Sequence, residues 1–188
     1  MKNVIEKAHV PRLREKYRKE IVPVMMKEFR YKNPNQAPRL MKIVVSMGVK
    51  EGAEDIKILD AVAGDLALVT GQKPMVTRAH KSISAFKLRE GSPIGLKVTL
   101  RGTRMYEFFD RLVNVAMPRI RDFRGFPDSG FDGQGNLNIG LQEQIIFPEV
   151  EFDKIKKIQG MNIAFVTTAQ KKEEAKRFLE LFGFPFRK

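Results

Sequence analysis

Residues 93–101 read Pro93-Ile94-Gly95-Leu96-Lys97-Val98-Thr99-Leu100-Arg101. Ile94, Leu96, Val98 and Leu100 alternate with Lys97, Thr99 and Arg101, the two-residue period of a strand half buried against a core. One side of this strand is apolar; the other offers cations and a hydroxyl. The period then changes. Met105, Phe108, Phe109, Leu112 and Ala116 recur at helical spacing until Pro118, so a core-packed helix follows the strand.

Upstream, Met41, Ile43, Val45 and Met47 alternate with Lys42, Val44 and Ser46 and stop at Gly48, which predicts a second strand with the first set in the core. Leu59, Val62, Ala63 and Leu66 form one stripe between Glu54 and Thr70, a helix closed by Gly71. Between Pro74 and Ile94 a basic polar stretch reads as a hairpin with a mobile tip. Over residues 10–30, Leu13, Tyr17, Ile21, Val24 and Met25 mark a helix that Pro23 must kink or restart. Met161 to Thr168 reads as a strand, and Ala175, Phe178, Leu179 and Phe182 as a helix closed by Gly183.

Five glycines between Pro118 and Gly140 predict a long loop, in which Phe123, Phe126 and Phe131 point to something that docks. Strands and helices alternate irregularly. The expected fold is therefore α+β: one domain over residues 1–188, a mainly antiparallel or mixed sheet with helices on one face and a basic, RNA-binding opposite face. Residues 1–10 are expected to be a flexible extension.

Composition narrows the function. Lys and Arg number 35 against 22 Asp and Glu, and a formal charge of +13 calls for a polyanionic partner. No apolar run is long enough to span a membrane, and Lys2-Asn3-Val4-Ile5-Glu6 does not resemble an export signal, so a cytoplasmic location without a membrane partner is expected. The absence of Cys removes thiolate metal sites and cysteine nucleophiles.

The charge is clustered. From Lys73 to Arg104 stand Lys73, Arg78, Lys81, Lys87, Arg89, Lys97, Arg101 and Arg104 against one acid, Glu90. Such a set displaces counterions from phosphates and gives sequence-independent affinity for nucleic acid. Gln72, Thr77, Ser82 and Thr99 lie among these cations and supply hydrogen-bonding groups for sugars, phosphates and base edges. Phe86, within the same stretch, reads as a core residue in preference to a base-stacking one. A solvated surface is the bland alternative, but it does not require this interleaving.

Catalytic and metal readings fail on spacing. His9 and His80 are far apart and belong to no ligand motif. Gly133-Gln134-Gly135 opens like a dinucleotide loop but has Asn138 where the third glycine belongs, and the calcium-loop pattern beginning at Asp128 meets Ile139 where Glu is needed. Glu173 and Glu174 are ordinary exposed-helix carboxylates. No enzyme, metal or cofactor is expected; a free-standing RNA-binding regulator or chaperone remains open on the residues alone.

Six ordered segments add a resemblance: Gly71-Gln72-Lys73-Pro74; Lys81-Ser82-Ile83-Ser84 with Phe86-Lys87; Pro93 to Gly102; Pro118-Arg119-Ile120-Arg121-Asp122-Phe123-Arg124-Gly125; Glu143-Gln144-Ile145-Ile146-Phe147-Pro148-Glu149; and Gly183-Phe184-Pro185-Phe186-Arg187-Lys188. In order and spacing these resemble the L-five family of bacterial large-subunit ribosomal proteins across almost the whole chain. The resemblance implies a structural ribosomal protein that binds 5S ribosomal RNA in the central protuberance. It also implies contacts with 23S ribosomal RNA, peptidyl-site transfer RNA, neighbouring large-subunit proteins and a small-subunit head protein at an intersubunit bridge.

Carried onto this chain, the 5S face comprises Ser46, Gln72, Lys73, Lys97, Thr99 and Arg101. The transfer-RNA loop comprises Thr77, Arg78, His80, Lys81 and Ser82, and Arg119, Arg121 and Arg124 face other ribosomal RNA or proteins. Ser46 stands where the family commonly has Asn, His80 where it has Lys or Arg, Gln134 and Gln142 where it has Arg, and Leu137 where it has Tyr. Ser46 keeps a hydrogen-bonding group but not the reach of an amide.

Overall fold

The structure, a computed structural model, describes residues 10–53, 55–150, 155 and 158–187. The expected N-terminal extension lies outside the described residues up to position 9. Strand β3 (Pro93–Leu100) and strand β1 (Leu40–Gly48) pair antiparallel, with Val45 opposite Val98. β2 (Met75–Arg78) flanks β3, β5 (Met161–Thr167) flanks β1, and β4 (Leu137–Leu141) closes the far edge. The order is β2-β3-β1-β5-β4 with every neighbour antiparallel.

Period two decides which side of the sheet is dry. Ile43, Val45, Met47, Leu96, Val98, Leu100, Ile139, Ile163 and Phe165 are all buried in one core. That core is completed by α3 (Ile56–Thr70), α4 (Gly102–Arg111) and α5 (Lys172–Leu181) through Leu59, Val62, Leu66, Met105, Phe108, Phe109, Phe178 and Leu179. Burying each Phe stabilises the fold by about 1.5–3 kcal/mol. Met41 departs from the alternation: it is 40% exposed, because a bulge between Leu40 and Lys42 shifts the phase and Leu40 takes the core position.

Gly95 has a packing reason. A Cβ there would lie 2.5 Å from the Met47 carbonyl oxygen and 3.1 Å from Thr77 Oγ1, so β1, β2 and β3 close up at this point only around glycine. Thr70 and Gly71 finish α3: the Thr70 hydroxyl donates to the Leu66 carbonyl, and Gly71 takes φ +66°.

Both helices that run into a proline loosen first. α1 (Arg12–Lys16) widens into a π-type turn over Tyr17–Ile21 and runs without a break into α2 (Val22–Phe29), so the widened turn, not a break, precedes Pro23. α4 runs likewise into a π-type turn, Leu112–Ala116, and a 3-10 turn holding Pro118. Leu13, Ile21 and Met25 face the core as their spacing required.

Three expectations are corrected. The long loop after Pro118 is shorter than its glycines implied, because residues 137–141 form an edge strand whose Leu137, Ile139 and Leu141 are buried. Phe126 and Phe131 dock on the chain's own C-terminal segment, at 5.5 Å from Phe184 and 5.6 Å from Phe186, ring centre to ring centre, and Phe123 packs edge-on against Phe126. Phe86 is 68% exposed and belongs to no core, because the short turn Ser84–Phe86 projects beyond the sheet.

Candidate nucleic-acid interface

The sheet face away from the helices bears the outward set of each strand. Pairing aligns those residues into rows. Met75 stands opposite Lys97, Lys97 opposite Ser46, Ser46 opposite Asn162, and Asn162 opposite Gly140. The next row runs from Thr99 through Val44 and Ala164 to Asn138. Directly opposed side chains lie about 4.5–5.5 Å apart at Cβ, so the first row sets a cation, a hydroxyl and an amide within one span. Lys97, Asn162 and Asn138 are exposed; Ser46, Thr99, Val44 and Ala164 are half-buried.

Gln72 joins the face at its edge, where its Nε2 donates to the Thr99 carbonyl at 3.4 Å. That bond fixes the side chain beside Thr99 while leaving the Thr99 hydroxyl uncommitted to Gln72. Lys73 follows, exposed. Arg101 is exposed too, but β3 ends at Leu100, so it sits at the cap position of α4 and not on the strand. The face proper is thus more polar than basic: among the described residues its ionised side chains are Lys42 and Lys97, and the remaining cations surround it.

The hairpin residues separate into two kinds. Thr77 pairs with Gly95 and belongs to the sheet. Arg78 donates from its guanidinium to the Gly91 carbonyl at 2.9 Å, and the Ser82 hydroxyl accepts from the Glu90 N–H at 2.9 Å. Ala79 exchanges backbone bonds with Gly91 and Ser92, and Ile83 pairs with Leu88, so the tip is a small closed hairpin. Arg78 and Ser82 therefore help hold the tip. His80 and Lys81 are exposed on it, with Phe86 and Ile83 adding apolar surface.

Arg119, Arg121 and Arg124 lie elsewhere, in the segment beside the β4 edge, at the opposite side of the sheet from the hairpin. Sequence reasoning missed Lys42, Met75, Asn138 and Asn162. Lys42 and Asn162 lay in segments already read as strands, whereas Met75 and Asn138 lay in segments read as hairpin and loop; only the pairing register puts all four on the face with Ser46 and Lys97.

Neighbouring polar groups are spent on support. Asp132 accepts from the backbone N–H groups of Gln134 and Asn136 and from the Asn136 side-chain amide. Desolvation alone would raise its carboxyl; these donors together hold it below the ordinary aspartate value. Buried Gln144 donates to Asp65 at 3.3 Å and accepts from the Gln159 N–H, tying α3 to the segment that enters β5. Desolvation holds the Asp65 carboxyl above its ordinary value. No helix of the described residues is long and apolar enough to cross a membrane.

Two family models match: that of ribosomal protein L5 over residues 33–89, and that of the C-terminus of the same ribosomal family over residues 93–186. The chain is 58% identical over 176 residues to large ribosomal subunit protein uL5 of Thermosipho melanesiensis, spanning 94% of this chain and 97% of that one. It is 56% identical over 180 residues to uL5 of Thermotoga maritima, at 96% and 97% coverage. With uL5 of Clostridium kluyveri it shares 59% over 175 residues, at 93% and 97% coverage.

Proposed function

We propose that this chain, which belongs to the ribosomal protein L5 family and is a structural, non-enzymatic constituent of the large ribosomal subunit, binds 5S ribosomal RNA on its helix-free sheet face. The observation that supports this most is the row Lys97, Ser46, Asn162, set beside Thr99 and Gln72 on the face away from the helices. A sheet surface without covering helices admits a sugar-phosphate backbone, and its hydroxyl and amide groups fix register through hydrogen bonds. Lys42 on the face, and Lys73 and Arg101 around it, supply electrostatic attraction.

The hairpin tip supports a second contact. His80 and Lys81 are exposed beyond the paired residues of β2 and β3, apart from the residues of the face, which supports contact with a different RNA; with the family resemblance, peptidyl-site transfer RNA is the reading we favour. The two contacts use different residues and are separable.

Gradient sedimentation with binding assays tests the reading. The tagged chain should travel with the large subunit, and the purified chain should bind 5S ribosomal RNA with an affinity that falls as salt rises. Recovery only in the soluble fraction, or equal affinity for an unrelated structured RNA at physiological salt, would overturn it.

A further inference from the structure

The nine methionines of this chain stand in different surroundings. Among the described residues Met25, Met47, Met105, Met117 and Met161 are buried, Met26 is half-buried, Met41 is 40% exposed and Met75 is 63% exposed. A flexible thioether usually fills an irregular gap in a core. Met75 fills no such gap.

Pairing defines where it stands. Met75 opens β2, an edge strand of the sheet, and lies directly opposite Lys97 in the register with β3. The next pair sets Val76 opposite buried Leu96, on the core side. The Met75 thioether and the Lys97 ammonium therefore project together from the helix-free face, from Cβ atoms about 4.5–5.5 Å apart. Lys97 is exposed and has no carboxylate partner among the described residues. The chain has no Cys, so no thiol of its own intercepts a two-electron oxidant before the exposed thioether meets it.

We propose that Met75 is an oxidation site that regulates the RNA face through Lys97. The oxidant is a peroxide. With hydrogen peroxide, a sulfur lone pair attacks one oxygen and the S–O bond forms as the O–O bond breaks. The proton of the attacked hydroxyl passes to the departing one, which leaves as water; sulfur loses two electrons and the peroxide gains them. The product oxygen is a strong hydrogen-bond acceptor where the thioether sulfur was a weak one, and the Lys97 ammonium has three donors and no acceptor. Lys97 donates to the sulfoxide beside it, and an RNA phosphate must then compete for the one cation of its row. Sulfoxide reductases reverse the oxidation, so the step works as a switch. The inference rests on the proposed 5S contact of this face.

The test uses the full chain and 5S ribosomal RNA. Peptide mass spectrometry along a hydrogen peroxide time course should find sulfoxide at Met75 before Met41 and the buried methionines, and later at Met75 when the RNA is bound. The oxidised chain should bind about fivefold more weakly, as for one lost hydrogen bond. Its log–log salt slope should flatten by about 0.9, one phosphate contact. Sulfoxide reductases should restore both. Met75→Leu and Lys97→Gln, each compared with its own untreated sample, should keep their slopes after peroxide, while Met41→Leu should respond as the unaltered chain does. Oxidation of Met41 ahead of Met75, or equal peroxide sensitivity in Met75→Leu, overturns the proposal. If Lys97→Gln weakens 5S binding and Met75 sulfoxide does not, the sheet-face reading stands and this inference falls. Binding indifferent to both changes removes the sheet-face reading, and this inference with it.

Discussion

Ser46 and Lys97 stand directly opposite each other across the antiparallel β1–β3 pair, with Asn162 facing Ser46 from β5. In the proposed 5S contact, Lys97 is the one cation of an otherwise uncharged row and supplies one phosphate contact, while its neighbours supply geometry. Lys97→Gln should therefore flatten the salt slope of 5S binding by about 0.9, and Asn162→Ala should lower affinity with the slope kept. Filter binding across a salt series distinguishes them; identical slopes in all three proteins would place Lys97 outside the contact.

Thr99→Val keeps shape and strand preference and removes one hydroxyl from the face. The bond from Gln72 goes to the Thr99 carbonyl, so it survives the change. Stability should hold, and 5S affinity should fall by about 1 kcal/mol for one lost hydrogen bond. Unchanged affinity would move the contact away from this end of β3.

Gly95→Ala tests the close approach of the three strands. The obstructing atom is the Met47 backbone oxygen, which no side-chain rotation removes. Separation of β1 and β3 should cost about 1–3 kcal/mol, and each kcal/mol lowers the thermal midpoint by about 2–4 °C in a domain of this size. A midpoint equal to the unaltered chain would show that the sheet relaxes freely there.

Asp132 carries a pH dependence of definite sign. Its folded carboxyl titrates below the unfolded value near 3.8, so its support of the 132–136 turn is present above that value and is lost as pH falls through the folded one. The amide signals of Gln134 and Asn136 should titrate together with a midpoint below 3.8. Asp132→Asn should abolish that transition.

Lys81→Ala and Arg78→Ala are not equivalent, although both remove one charge from the tip. Arg78 bonds the Gly91 carbonyl, so its loss should speed amide exchange at Ala79 and Gly91, while Lys81→Ala should leave exchange unaltered. In reconstituted ribosomes Lys81→Ala should quicken dissociation of peptidyl-site transfer RNA with little effect on isolated 5S binding. The reverse pattern would assign the tip to the 5S contact.

Periodicity by itself determined the α+β class, strands β1, β3 and β5, and the helices closed at Gly71 and Gly183, while net charge pointed toward a polyanionic partner. These are local properties: an alternating or helical apolar pattern reports its own element within a few residues. Tertiary structure decided what depends on distant partners. β4 has the alternation Leu137, Ile139, Leu141, yet its glycine-rich surroundings read as loop until pairing with β5 buried it. Phe86 and Phe126 are the same residue type in loops of similar character; one is exposed and the other packs on Phe184, because only the segment beside β4 meets the C-terminal tail. The row joining Lys97, Ser46 and Asn162 draws on positions more than a hundred residues apart, and strand register, set by the buried side chains on the opposite face, brought them together.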